Sequence, residues 1–251
     1  MSEERRTILV TGGSRGIGAE TARMAAERGY DVCLSFRSRE AEASRVRKAV
    51  EERGRRALAI AADFGDSAAI TELWRRAIEH FGRIDVLVNN VGILERQMRL
   101  EDFEPERLER VFRVNITGAF ICAREAVRHM STRHGGSGGA IINVSSMAAR
   151  LGSPNEYVDY AASKGALDTM TIGLAKEVAG EGIRVNGIRP GSTYTEIHAD
   201  GGEPNRVDRI AKVVPLRRGG QPADMAGAIL WLASEEASYV TGAILDVAGG
   251  L

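Results

Sequence analysis

Short apolar runs rich in β-branched residues alternate with longer amphipathic stretches along the chain, and this rhythm constrains the fold more than any other feature. Strand-like runs fall at residues 7–11, 31–36, 57–62, 84–89, 140–144, 183–188 and 244–247. Helix-like periodicity occupies 19–28, 40–53, 67–80, 105–132, 158–179 and 222–234. Pro222 suits a first helical turn, where its missing N–H costs nothing. Strands that alternate with helices require a parallel sheet covered on both faces. Ile8-Leu9-Val10, Val86-Leu87-Val88 and Ile141-Ile142 are apolar without alternation, as strands buried on both sides are. Neither a repeat nor a linker divides the 251 residues, so one domain is expected over 1–251. Residues 190–220 are irregular, rich in Gly, Pro and charge, and too long for an ordinary connection; a substrate-binding loop is expected there.

Charge narrows the partners. Lys plus Arg (34) equals Asp plus Glu (34), which leaves no electrostatic footprint for nucleic acid or an anionic membrane. No run approaches the roughly 18 apolar residues of a membrane span, and residues 1–6 are polar, so the expected location is the cytoplasm. Cys33 and Cys122 lie in apolar runs and read as buried small hydrophobes. His80, His129, His134 and His198 lack metal-ligand spacing and read as surface or loop residues; no metal is expected.

The first strand runs into Thr11-Gly12-Gly13-Ser14-Arg15-Gly16-Ile17-Gly18, a G-x-x-x-G-x-G spacing. Glycines let the backbone turn tightly and approach a pyrophosphate at the start of a helix, whose N–H groups and dipole favour negative charge. The fold class expected is therefore α/β: a doubly wound parallel sheet in a single Rossmann-type domain with helices on both faces. A site for NAD usually places a carboxylate at the end of the second strand to bind the ribose 2′-hydroxyl. Here that stretch is Leu34-Ser35-Phe36-Arg37-Ser38-Arg39, without a carboxylate before Glu40. Arg37, with Arg15 as a second cation, would bind the extra phosphate of NADP(H), which is expected to be preferred over NAD(H).

Tyr160 and Lys164 are four residues apart and share a helix face. A tyrosine hydroxyl near a pKa of about 10 is a poor base at neutral pH, and a nearby ammonium is expected to draw it towards the working range. The pair would then exchange a proton with an alkoxide or alcohol. Ser145 and Ser146 end a buried strand, where a parallel sheet forms its ligand crevice. Asn115 is a polar, poorly helix-forming residue in the long 105–132 stretch, where it suggests a local role.

Taken together in this order, T-G-G-S-R-G-I-G (11–18), N-N-V-G (89–92), V-N-I-T-G (114–118), I-N-V-S-S (142–146), Y-A-A-S-K (160–164), R-V-N-G-I-R-P-G (184–191) and Y-V-T-G (239–242) resemble the short-chain dehydrogenase/reductase family over 7–250. Both 3-oxoacyl-carrier-protein reductase-like and sugar dehydrogenase-like members show this pattern. The resemblance implies Tyr160 as acid/base and Lys164 as its partner and a nicotinamide-ribose contact. It implies Ser146, rather than Ser145, as the hydrogen-bonding partner of the substrate oxygen, and Asn115 as the holder of a relay water. Cofactor contacts are implied at Gly12, Ser14, Arg15, Gly16, Ile17, Gly18, Arg37, Asp63, Asn89, Gly92, Tyr160, Lys164, Pro190, Gly191, Thr193 and Thr195. Val91 stands where the family usually has Ala, and Asp63 is followed by Phe-Gly-Asp rather than Val-x-Asp.

The expected activity is an NADPH-dependent carbonyl reductase or alcohol dehydrogenase acting on a small or medium-sized carbonyl or alcohol. The alternatives are 3-oxoacyl-carrier-protein reductase, a sugar or polyol dehydrogenase and, from another class, a dinucleotide sensor that has lost its chemistry; such a sensor would be free to lose Tyr160 or Lys164. Glu181 stands where carrier-protein reductases commonly carry a basic residue, and would repel an acidic carrier. The substrate pocket is expected from the 190–212 loop with Ile93, Met147, Pro154 and Tyr157. The resemblance also implies a homotetramer. The small residues Ala119, Ala123, Ala126, Ala166, Thr169 and Gly173, with the apolar C-terminus, offer it close-packing surfaces.

Overall fold

A computed structural model describes residues 5–251. Seven parallel strands form one sheet: β1 (Thr7–Val10), β2 (Asp31–Phe36), β3 (Ala57–Ala61), β4 (Val86–Asn89), β5 (Gly139–Val144), β6 (Ile183–Pro190) and β7 (Ile244–Val247). Their spatial order is β3-β2-β1-β4-β5-β6-β7, so the order reverses between β1 and β4. Helices in such a sheet leave a crevice beyond the strands' carboxyl ends at this switch point. The chain is thus a doubly wound α/β domain of the Rossmann type.

Successive side chains on a strand point to opposite faces. Ile8 and Val10 accordingly join a core with Ala22, Val46 and Ile229. This face is covered by α1 (Gly16–Glu27), α2 (Glu40–Glu51) and α10 (Pro222–Ala233). Leu9 faces the opposite core, with Leu73, Trp74, Cys122 and Val178. There α3 (Ser67–Phe81), α5 (Gly118–Met130) and α7 (Val158–Val178) cover the sheet. Pro222 does occupy the first turn of α10, where Gln221 and Asp224 form a reciprocal capping box. Both thiols are buried and free, as read from the sequence, and Trp74 Nε1 donates to Cys122 Sγ at 3.3 Å.

Three expectations are corrected. The 105–132 stretch is not one regular helix. It comprises α4 (Pro105–Phe112), a π-helical turn over Arg113–Thr117, and α5. Asn115 sits in that π turn, where its polar side chain can bond outside the helix. His129 is a half-buried helix residue rather than a surface one. It accepts the Ile84 N–H at 3.0 Å and packs against Trp74, and burial holds its pKa below the ordinary histidine value. Finally, 190–220 is not wholly irregular: it contains α8 (Ile197–Asp200) and α9 (Arg206–Ala211). Helices of 4 and 6 residues are too short to show a periodic pattern in sequence. One more short helix, α6 (Ala148–Leu151), follows the end of β5. No helix among the described residues is long and apolar enough to cross a membrane.

Candidate active site

A cleft of about 620 Å³ opens at the carboxyl ends of the strands, lined from Gly12 at one end to Arg206 at the other. The glycine loop builds its floor. Gly12 and Gly16 have φ of +65° and +54°, a region that residues with a Cβ rarely enter. A Cβ on Gly18 would lie 2.4 Å from the Gly12 carbonyl oxygen, so only glycine lets α1 start this close to the loop. The start of α1 has no side-chain cap and no acidic residue in its first turn. Its free amides and positive dipole end suit a phosphate group.

Three residues outside the expected set hold this loop. Ser35 accepts the Gly12 N–H through Oγ at 3.1 Å and the Gly13 N–H through its carbonyl at 2.8 Å. Thr11 Oγ1 accepts the N–H groups of Asn90 (2.8 Å) and Val91 (3.1 Å). Asn90 Nδ2 donates to the Thr11 and Gly12 carbonyls at 2.8 and 3.3 Å. Asn90 lines the cleft, whereas Asn89 points the other way: it is buried and donates to the Ala119 carbonyl at 3.0 Å. The repeated N-N pair marks this turn, but only the strand's pleat decides which of the two faces the ligand side.

At the end of β2, Ser35 through Arg39 line the cleft, with Asp63 beside them. Arg37 is exposed and pairs with no carboxylate of the described residues. Arg15 does have a partner: its guanidinium pairs with Asp200 at the end of α8, across the cleft. Sequence reasoning had no access to this pairing, because 185 positions separate the two residues.

At the other end, Tyr160 and Lys164 occupy one face of α7. Ser145 Oγ donates to the Lys164 carbonyl at 3.1 Å, whereas Ser146 Oγ accepts the Ala148 N–H at 3.1 Å and, beside Tyr160, favours its phenolate form. The two serines thus differ: Ser145 bonds α7, and Ser146 acts on the tyrosine. Lys164 Nζ donates to the Val144 carbonyl at 2.8 Å and lies 5.6 Å from the Tyr160 ring centroid. A Cβ on Gly92 would lie 3.2 Å from Nζ, so glycine leaves room for the ammonium.

The expected downward shift of the tyrosine is not found. Burial pushes the Tyr160 hydroxyl up to about 12, against smaller opposing effects of Ser146 and Arg206. Burial likewise pushes Lys164 down to about 8, opposed by the Asp168 charge. Removing either group from water disfavours its charged form, and here that outweighs the opposing neighbours.

Asn115 lies behind the cleft rather than on its wall. Its Oδ1 accepts the Ile93 N–H at 2.8 Å, while its Nδ2 donates to the Ile93 carbonyl (3.0 Å) and to Ser163 Oγ (3.1 Å). These bonds tie the strand-end turn to α7. Pro190, Gly191, Thr193 and Thr195 line the cleft after β6. His198 is fixed by Nε2 against the Thr193 carbonyl at 3.0 Å, and burial lowers its pKa.

Ile93, Met147 and Tyr157 line the substrate end as expected, but Pro154 is exposed outside it. Arg206 was not anticipated there. It lies over the Tyr157 ring, pairs with Glu156 at 2.6 Å and thereby anchors α9 to the entrance of α7. Glu181 accepts a hydrogen bond from Ser131 and faces Arg133 at 3.9 Å. Its charge is partly offset by these contacts.

Comparison with known proteins agrees with this geometry. Residues 12–251 match the family model described as enoyl-(acyl carrier protein) reductase. The uncharacterized oxidoreductase YgfF of Escherichia coli (strain K12) is 52% identical over 242 residues, covering 96% of this chain and 98% of its own. The crystal structure of 3-ketoacyl-(acyl-carrier-protein) reductase from Brucella melitensis complexed with NADH superposes with a TM-score of 0.91 at 33% identity, covering 99% of both chains. The chain belongs to the short-chain dehydrogenase/reductase family. A further short-chain dehydrogenase, from Burkholderia cenocepacia J2315 in complex with NADP, gives a TM-score of 0.88 at 34% identity, covering 98% and 97% of the two chains. As a short-chain dehydrogenase/reductase, the protein is an oxidoreductase that uses a nicotinamide cofactor.

Proposed function

We propose that this short-chain dehydrogenase/reductase reduces a small-molecule carbonyl with NADPH, in the cytoplasm. The observation that carries the reading is one cleft that joins the glycine cradle and Arg37 to Ser146, Tyr160 and Lys164. When bound, the cofactor supplies the hydride. Ser146 and Tyr160 hold the carbonyl oxygen, and the phenolic O–H bond breaks as its proton moves to that oxygen. Lys164, through its ammonium, steadies the phenolate that remains and contacts the ribose. Burial keeps the Tyr160 hydroxyl protonated, as the donor of that proton must be. Asn115 serves by fixing the Ile93 turn and α7. The 190–220 loop, with Arg206 as its anchor, closes the substrate end. Free thiols at Cys33 and Cys122 suit a reducing compartment.

NADP(H) preference rests on Arg37 and Arg15 and on the missing carboxylate at the end of β2. NADPH should bind at least tenfold more tightly than NADH, about 1.4 kcal/mol. Arg37→Asp should shift the preference towards NADH by placing a carboxylate beside the 2′ position. Equal dissociation constants for the two cofactors in the wild-type protein, read by fluorescence titration, would overturn the assignment.

A homotetramer is part of the same reading, with a revised surface. Ala119, Ala123 and Ala126 are buried within the chain and cannot meet a partner. The open face of α7 instead presents Thr169, Ile172 and Gly173, and α5 adds Phe120, which is 47% exposed. Tyr239 and Leu245 are exposed near the C-terminus. Closed two-fold packing is the common way to cover such surfaces. Light scattering at micromolar concentration should give four times the 27.1 kDa of one chain; the mass of one chain would refute the tetramer.

A further inference from the structure

Four charged side chains outside the roles just described form a connected line. Arg150 on α6 pairs with Asp246 on β7. Asp246 accepts from Arg189 Nη1 at 2.9 Å, and Arg189 Nε donates to Asp168 Oδ2 at 2.8 Å. Asp168 is buried on α7, and its other oxygen, Oδ1, is enclosed and meets no donor among the described residues. A carboxylate with one matched and one bare oxygen retains a field that its surroundings do not quench. Asp168 follows Lys164 by four residues, so the two share a face of α7, and both are buried. Helical side chains lean towards the N-terminus, which places the carboxylate over the turn that carries Lys164.

The groups around Lys164 offer no other negative charge. Tyr160 is on its own helix, Ser145 and Ser146 end β5, Gly92 follows β4, and Asn115 lies in the π turn. From α4, Arg107 is matched by Asp159 in a buried bidentate pair, with contacts of 2.7 and 3.1 Å. From α9, Arg206 acts on Tyr160. From β6, Arg189 faces Asp168.

We propose that Asp168 is a positioning residue that keeps Lys164 in its ammonium form, with Arg189 setting the strength of the effect. The inference rests on the reading in which Lys164 serves the reaction. Burial drives Lys164 to about 8, close to neutrality, and the Asp168 charge resists that drive. Loss of the Asp168 charge would leave Lys164 neutral over more of the working range. Loss of Arg189 would free the Asp168 field and do the opposite.

The test is the pH dependence of kcat in NADPH-driven reduction, with the pH dependence of NADPH affinity as a second readout. In Asp168→Asn the alkaline loss of activity should begin roughly one pH unit lower, about a tenfold change in the Lys164 protonation equilibrium. Asp168→Glu, which keeps the charge, should restore the wild-type limb. Arg189→Gln should move the limb upward. If Asp168→Asn does not fold, the direction of the Arg189→Gln shift decides alone. An unmoved limb in the folded variants, or a uniform loss of rate at every pH, would sink the role of Asp168. Lys164→Ala at the wild-type kcat would instead sink the reading beneath it, so the two failures are separable.

Discussion

Tyr160→Phe is expected to lower kcat by about a thousandfold, the range general acid catalysis contributes, while the dissociation constant for NADPH stays within about twofold. The ring keeps its place on α7 and its packing against Lys164. Only the hydroxyl is lost, and with it the proton for the carbonyl oxygen. Single-turnover measurements with bound NADPH would isolate this step from product release. A variant that turned over near the wild-type rate would show that the proton comes from elsewhere, and Ser146 would be the next group to examine.

Lys164→Ala should damage both steps. Its Nζ bridges the Val144 carbonyl and the space beside Gly92 at the centre of the cleft. Removing it leaves the buried carbonyl without that donor, which costs about 1–3 kcal/mol of stability. The phenolate formed on Tyr160 would lose its cation, and the cofactor would lose a ribose contact. We expect kcat to fall at least a hundredfold and the NADPH dissociation constant to rise about tenfold, or about 1.4 kcal/mol. Isothermal titration beside steady-state kinetics separates the two losses. An unchanged dissociation constant would confine Lys164 to proton chemistry.

What could be read in the sequence followed from local rules. The strand–helix alternation fixed the parallel sheet, whereas the strand order, with its reversal between β1 and β4, is visible only in the structure. Tyr160 and Lys164 were legible because helical spacing puts them on one face. The glycine loop was legible because Gly12, Gly16 and Gly18 each meet a steric demand that a Cβ cannot. Features that depend on distant partners were not legible. The Arg15–Asp200 pair crosses the cleft from a loop of unknown course. The π turn at Asn115 arises where its side chain bonds Ile93 and Ser163. His129 looked like a surface residue until Ile84 and Trp74 were placed beside it. The direction of the Tyr160 shift is not legible for a related reason: spacing reveals the neighbouring lysine but not the burial that raises the hydroxyl's pKa.

Oxidation of NADPH, followed by its near-ultraviolet absorbance, tests the central claim most directly when the protein is offered a panel of ketones, acyl thioesters and sugars at neutral pH. The account predicts that at least one carbonyl class is reduced, with NADPH preferred over NADH. Tight, saturable NADPH binding without oxidation by any carbonyl would contradict it and would point to a protein that senses the dinucleotide rather than spending its hydride.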